Sequence, residues 1–529
     1  MSSTPTFSSA AVAAPHVAAS ESGRNVLAQG GNAIEAMVAM AATIAVVYPH
    51  MNSVGGDGFW LIREPKGRVR YVEACGFAGE KALIGTYRKL GHDAIPSRGP
   101  LAAVTTPGAI DGWRCALELS AALGGKLPLA DLLRDAVRHA REGVAVSPSE
   151  ARTVPNKFAD LKDAPGFAQH YLVDGERAPA GHVRKSERLA STLEHLGTAG
   201  LRDFYRGDVG REIAADLERI DAPVTRRDVE RTEARWREPL SVRLNDVTVW
   251  NAPPPTQGLA ALALLGIFER LDVRRGEGFE HIHGLVEATK RALAIRDRVV
   301  TDFDHLREDP AALLSALALE REAAMISMTR AGPFPARDAV GDTVWMGVID
   351  GSGLAVSYIQ STYWEYGSGC LLPATGVLMQ NRGVSFSLDE SALNALRPGR
   401  RPFHTLNPPL AAFDDGRVCV YGSMGGDGQP QFQAQILSRL RFGMAPDAAV
   451  DAPRYLLGRT WGEDSASLKL EDRFDPSVVS ALRRAGHEVE IVPEPYSDML
   501  GHAGMLVRWP KGRIEGTHDP RSDGGALGL

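Results

Sequence analysis

Apolar residues recur three and four positions apart in LADLLRDAVRHAREG, VGREIAADLERI and EHIHGLVEATKRALAIRDRVV, the spacing that gathers them on one helical face. Between Asn32 and about Val300 this period dominates, so that half of the chain is expected to be mostly helical scaffold. The stretch from Ala33 to Val47 is almost wholly apolar, interrupted by Glu35 and shorter than the roughly 20 residues a bilayer requires, which predicts a buried helix. After Ala339 the texture changes. VWMGVID and LAVSYIQ are short strand-like runs separated by Gly351-Ser352-Gly353, the composition of a tight hairpin turn. LAAFDDGRVCVYG turns similarly at Asp414-Asp415-Gly416, and AGMLVRWPKGRIEG at Pro510-Lys511-Gly512. Strands followed by helices such as QFQAQILSRLRF predict sheets covered by helical layers, an α+β fold. No repeat or low-complexity tract divides the chain.

Charge narrows the function. The net charge of −6 comes from 59 basic and 65 acidic residues mixed along the 529-residue chain, leaving no basic stripe for phosphates or an anionic surface. Neither nucleic acid nor a membrane is an expected partner. Cys75, Cys115, Cys370 and Cys419 are far apart and form no Cys-x-x-Cys pair, which argues against a disulfide framework or a zinc cluster. With no secretory signal at the N-terminus, a reducing cytoplasm is the expected location. Neither a metal nor a cofactor is called for.

Two features suggest chemistry. A strand that begins at Thr343, after Asp342, presents a hydroxyl and, once the preceding bond is broken, an α-amine. That amine, with a pKa near ~8, can accept the hydroxyl proton at physiological pH. By itself Asp-Thr before a strand is ordinary, because Thr favours strands. The second feature is Gly422-Ser423-Met424-Gly425-Gly426-Asp427-Gly428, whose glycines let backbone amides converge on a developing negative charge. It lacks the Lys-Ser/Thr ending of a phosphate-binding loop, and a plain glycine-rich turn has the same composition.

These features gain meaning from a resemblance. SGRNVLAQGGNAIEAMVAMAATIAVVYPHMNSVGGDGFWLI, AAVTTPGAIDGW, NAPPPTQG, the Thr343 hairpin, TGVLMQNRG, RPFHTLNPPLAAF, GSMGGDGQ and THDPRSDGGALG occur in the order found in the gamma-glutamyltransferase family of N-terminal-nucleophile hydrolases. The resemblance implies a four-layer αββα sandwich made as one inactive chain. It implies self-cleavage between Asp342 and Thr343 into a large piece, residues 1–342, and a small piece, residues 343–529, which stay intertwined as one unit. Thr343 would then be the catalytic nucleophile and Gly425 and Gly426 the oxyanion-hole pair. The partners implied are a small-molecule amide substrate and the two pieces of the chain itself, with homo-oligomerisation left open.

The substrate pocket departs from the family. No Arg occurs in ACGFAGEKALIG, where the transferases place the Arg that holds the donor carboxylate. Their acidic anchor for the α-amine matches Ser385, so an acidic partner for an ammonium group is expected to be missing. Ser361 and Arg382 replace family amides, and His404 and Thr405 stand where a pair of serines surrounds the donor carboxylate. Ser361, Arg382, His404 and Thr405 are therefore the candidate substrate contacts. Arg382 can grip a carboxylate with two parallel hydrogen bonds; alternatively it is a structural ion pair with Asp389 or Glu390. His404 is either a substrate contact or a satisfied buried imidazole. Around Thr343, the segment IQSTYWEYGSGCLLPATGVLMQNRG resembles the oxamate-hydrolysing branch of the family. That implies hydrolysis of a small amide-bearing acid, oxamate to oxalate and ammonia, late in purine nitrogen recovery. The alternatives are a glutathione hydrolase or gamma-glutamyltransferase, and a non-catalytic binding module that keeps the fold.

Overall fold

The computed structural model describes residues 4–153, 158–334, 342–458 and 465–529. Its centre is built from strands β1 (Thr6–Phe7), β2 (Ala11–Ala14), β3 (Asp57–Arg63), β4 (Val69–Ala74), β5 (Arg235–Arg237), β6 (Leu240–Arg243), β7 (Val247–Asn251), β8 (Asp342–Ile349), β9 (Ala355–Tyr363), β10 (Leu410–Phe413), β11 (Val418–Ser423), β12 (Ala503–Arg508), β13 (Ile514–His518) and β14 (Gly525–Gly528). They form two seven-stranded sheets, ordered β14-β2-β8-β9-β3-β4-β5 and β1-β13-β12-β11-β10-β7-β6. Neighbouring strands are antiparallel throughout.

Alternation along β8 explains the layering. Trp345 and Ile349 point between the sheets, where they meet Phe59, Ile359, Val420 and Leu506. Val344, Met346 and Val348 point the other way, onto Met37, Met40 and Ile44. Those residues belong to α2 (Ala33–Val47), which with α1 (Val17–Ala28), α3 (Ala109–Ala122), α4 (Leu129–Glu142) and α5 (Glu187–Ala199) covers the first sheet. The second sheet is covered by α6 (Gly258–Glu269), α7 (Phe279–Val299) and α8 (Gln429–Arg441). The result is the four-layer αββα sandwich. Every residue of α2 is buried. Glu35 interrupts its apolar run because Oε2 accepts from Asn32 N–H at 2.8 Å in a capping box, while Oε1 accepts from Leu127 N–H at 2.8 Å.

The hairpins expected after Ala339 are present as β8–β9, β10–β11 and β12–β13. The first half of the chain is less helical than its periodicity suggests: β3 to β7 all lie there, three in one sheet and two in the other. Strand β3, DGFWLIR, is buried on both faces except at its last residue, so it shows a continuous apolar run rather than alternation. Among the described residues no helix is long and apolar enough to cross a membrane. The four cysteines are buried and free.

Candidate active site

Thr343 sits near the start of β8, where the pairing with β9 slips: Asp342 pairs with Tyr363, while Val344 pairs with Gln360. This bulge re-aims the strand end. Tyr363 takes a left-handed backbone at φ 83°, and its N–H donates to Ser361 Oγ at 2.8 Å. A bulky residue in that conformation is strained, and such strain gathers at functional sites.

Facing this strand end, β11 runs into the glycine loop. Gly425 has φ 116° and ψ 40°, and Gly426 has φ 52°, so both need a residue without Cβ. Their N–H groups take no partner among the described residues. They are thus available to an oxyanion. The loop is clamped from behind: Gln257 Nε2 donates to Gly426 O at 2.8 Å and to Thr405 O at 2.7 Å. Gln257 Oε1 in turn accepts from Arg296 Nη1 at 3.0 Å, and the same Arg296 nitrogen lies 2.8 Å from Asp427 Oδ1.

A chain of amides reaches the Thr343 hydroxyl, and its polarity can be read from its far end. Ala252 N–H can only donate, and it does so to Asn251 Oδ1 at 2.8 Å. Asn251 Nδ2 must then donate to Asn407 Oδ1 at 3.1 Å. Asn407 Nδ2 donates to Thr405 O at 3.0 Å, which can only accept, and to Gln429 Oε1 at 3.1 Å. This leaves Gln429 Nε2 to face Thr343 Oγ1 at 3.5 Å, at the start of α8. The hydroxyl oxygen therefore accepts a hydrogen bond here and keeps its own proton free to be lost.

The candidate substrate contacts gather nearby. Thr343, Arg382, His404 and Thr405 are 2%, 1%, 0% and 2% exposed. Arg382 Nη1 donates to Thr405 Oγ1 at 3.3 Å, and the guanidinium lies 3.6 Å from the Tyr363 ring centroid and 5.7 Å from that of Phe403. Among the described residues Arg382 Nε and Nη2 have no hydrogen-bond partner. The ion pair with Asp389 or Glu390 does not form: Asp389 instead accepts from Ser391 N–H and Oγ on the exposed surface. Burial lowers the pKa of Arg382, opposed by the Tyr363, Asp57 and Asp427 charges. His404 is not a satisfied imidazole, since neither ring nitrogen has a hydrogen-bond partner among the described residues. Burial first, then Arg382 and Arg401, holds its pKa far below the ordinary value, so the ring is neutral.

Ser385 holds no acid, but an acid from another part of the chain, Asp57, stands beside His404. This first residue of β3 pairs in register with Ser361, and its Oδ2 lies 3.6 Å from His404 Nε2. Sequence reasoning missed it, together with Gln257, Asn251, Arg296, Asn407 and Gln429. Several lie in blocks such as NAPPPTQG and GSMGGDGQ, but nothing in an isolated amide or acid indicates what it touches.

One other cluster has metal-ligand chemistry, His283, Glu287 and His487. Its atoms are already engaged: His283 bonds Ser327 O and His487 at 2.8 Å each, and Lys290 Nζ donates to Glu287 at 2.6 Å. An ammonium against the carboxylate and two mutually bonded imidazoles make it a structural hydrogen-bond chain.

The comparisons with known proteins agree with this geometry. Residues 19–529 match the gamma-glutamyltranspeptidase family model. The chain is 48% identical over 517 residues to the oxamate amidohydrolase proenzyme of Klebsiella pneumoniae, covering 97% of each chain. It is 37% identical to the glutathione hydrolase-like YwrD proenzyme of Bacillus subtilis, covering 98% of each. Its fold superposes on cephalosporin acylase from Bacillus halodurans with a TM-score of 0.91 at 30% identity, covering 100% of this chain and 97% of that one. With these matches and the αββα sandwich in place, this chain belongs to the gamma-glutamyltranspeptidase family and is an amide-bond hydrolase.

Proposed function

We propose that the protein is a self-cleaving amidohydrolase of a small amide-bearing carboxylic acid, with oxamate as the substrate that fits best. The observation carrying this reading is Arg382, a buried guanidinium with an unpaired Nε–Nη2 edge in the same hydrogen-bonded cluster as Thr343. Such an edge accepts one carboxylate by two parallel bonds. The oxamate activity named for the 48% identical relative points the same way.

In the intact chain Thr343 N is a peptide nitrogen and cannot serve as a base. Attack of Thr343 Oγ on the Asp342 carbonyl carbon moves the acyl group from nitrogen to oxygen, and the hydroxyl proton ends on the nitrogen as it becomes an amine. Water then hydrolyses the ester, separating residues 1–342 from 343–529. The pieces stay together because β8 is held between β2 and β9, and β9 between β8 and β3. In turnover Thr343 Oγ attacks the substrate amide carbon while the new α-amine takes its proton, and the oxyanion is held by Gly425 and Gly426 N–H. The amine returns the proton to the leaving nitrogen, ammonia departs, and water resolves the acyl-enzyme. Arg382 and Thr405 hold the substrate carboxylate, His404 lies beside it, and Ser361 shapes the wall through Tyr363. Four free, buried thiols fit a cytoplasmic setting.

The test is a comparison on processed protein. Ammonia release from oxamate, exceeding p-nitroaniline release from a γ-glutamyl anilide by at least about a hundredfold in kcat/KM, is expected; the reverse order makes the protein a gamma-glutamyl hydrolase instead. A second expectation concerns the loop clamp. Gln257→Leu removes one of two donors from each of the buried carbonyls of Thr405 and Gly426, which keep Asn407 Nδ2 and Gln429 N–H, each lost bond costing about 0.5–1.5 kcal/mol. Thermal denaturation should show a lower midpoint, and kcat should fall by about ten- to a hundredfold as the oxyanion donors lose their aim.

A further inference from the structure

The acid that sequence reasoning missed has an unusual arrangement of partners. Asp57 is 1% exposed, and its Oδ1 is saturated by Gly76 N–H at 2.9 Å, Gly108 N–H at 3.0 Å and Gln380 Nε2 at 3.1 Å. These three donors pin the carboxyl plane. Among the described residues its Oδ2 has no hydrogen-bond donor, and the polar groups around it are equally bare: both nitrogens of His404, and Nε and Nη2 of Arg382. Buried polar atoms almost always have a hydrogen-bond partner, so such a concentration of bare ones in one place marks a wall that a ligand completes.

Resting on the amidohydrolase reading, we propose that Asp57 is a specificity-determining residue, whose protonated carboxyl donates from Oδ2 to the substrate carboxylate that Arg382 grips. An ionised Asp57 would set one carboxylate against another in a site that excludes water. With the proton on, Arg382 and Asp57 Oδ2 face the ligand as donors and the neutral His404 has one N–H to add, a set that selects an acid. With the proton off, the wall offers one anionic acceptor, which selects an ammonium group beside the carboxylate, as in an α-amino acid. One proton on one atom thus separates the two substrate classes.

The surroundings favour the protonated form. Burial raises the Asp57 pKa to about 7, against the lowering effect of its three hydrogen-bond donors and of Arg382. The other titratable groups facing it are His404, Cys75, Tyr205 and Tyr358. The histidine is held neutral, and the thiol and phenols are pushed above their ordinary values, so Arg382 is the charged neighbour.

The experiment follows KM and kcat for oxamate from pH 6 to pH 8.5 in processed wild type, Asp57→Asn and Asp57→Ala. For a group titrating at about 7, the protonated fraction falls about tenfold between pH 6 and pH 8, so wild-type KM should rise about tenfold. The kcat profile instead follows the Thr343 amine. In Asp57→Asn the amide oxygen can keep the three donors of Oδ1 while its N–H replaces the carboxyl proton, so KM should vary by less than about twofold. Asp57→Ala should raise KM at every pH. A flat wild-type KM overturns the proposal, as does a correctly processed Asp57→Asn with abolished turnover, which would mean that the ionised carboxylate is required. If wild type hydrolyses no small amide-bearing acid at any pH, the amidohydrolase reading fails by itself. Calorimetric binding of oxalate across the same pH range then still tests the wall: pH-independent affinity, or equal pH dependence in Asp57→Asn, overturns it.

Discussion

Thr343→Ala remains a single 529-residue chain on denaturing electrophoresis and releases no ammonia from oxamate, a loss of about 10⁴-fold or more in rate. The two effects share one cause. In the proposed mechanism the hydroxyl that opens the Asp342–Thr343 bond is the hydroxyl that later forms the acyl-enzyme, and alanine can perform neither step. The fold should be unharmed, because the Oγ contact being removed is a 3.5 Å bond from Gln429, and Val344, Trp345 and Met346 keep the strand in place. Thr343→Ser, which retains the oxygen, should be processed and active with altered rates. Two bands with the smaller beginning at residue 343 in wild type, and one band in Thr343→Ala, are the expected pattern. Full activity in a wild-type chain of intact length would remove the amine-as-base mechanism, since the Thr343 nitrogen would still be an amide.

How much of this was legible in the sequence depends on the range of the interactions involved. Helices α4 and α7 and the three hairpins follow from periodicity and turn residues because the determining contacts are local. Strand β3 was not legible, since a short apolar run buried on both faces has no period to read. Thr343, Gly425 and Gly426 could be singled out because their chemistry is written in backbone position and residue type. The supporting amides could not. Asn251, Asn407 and Gln429 come from three separated segments, and only the sheet-on-sheet packing brings them into line with the nucleophile. Asp57 was hidden for a further reason: the family comparison searched for an acid after Gln380-Asn381, while the fold brings one in from β3.

Arg382→Met is expected to act in opposite directions on stability and on binding. Among the described residues the guanidinium is buried without a carboxylate partner, held by one hydrogen bond to Thr405 and by the faces of Tyr363 and Phe403. A charge in that position costs several kcal/mol of desolvation that the surrounding rings and hydroxyl only partly offset. A methionine of similar length keeps the packing against both rings and removes the charge, so the thermal midpoint should be unchanged or higher. Binding of the substrate carboxylate loses two charge-assisted bonds, about 3–4 kcal/mol together, and kcat/KM for oxamate should fall by roughly 10²–10³-fold, mainly through KM. Arg382→Lys should recover only part of this, because an ammonium supplies the charge without the planar pair of donors. If Arg382 were simply a structural residue, the signs would reverse: Arg382→Met would lower the midpoint by several degrees and leave KM for oxamate where it was. Measuring both quantities on the same processed sample separates the two roles, because no loss of folding can raise KM while the melting temperature stays level.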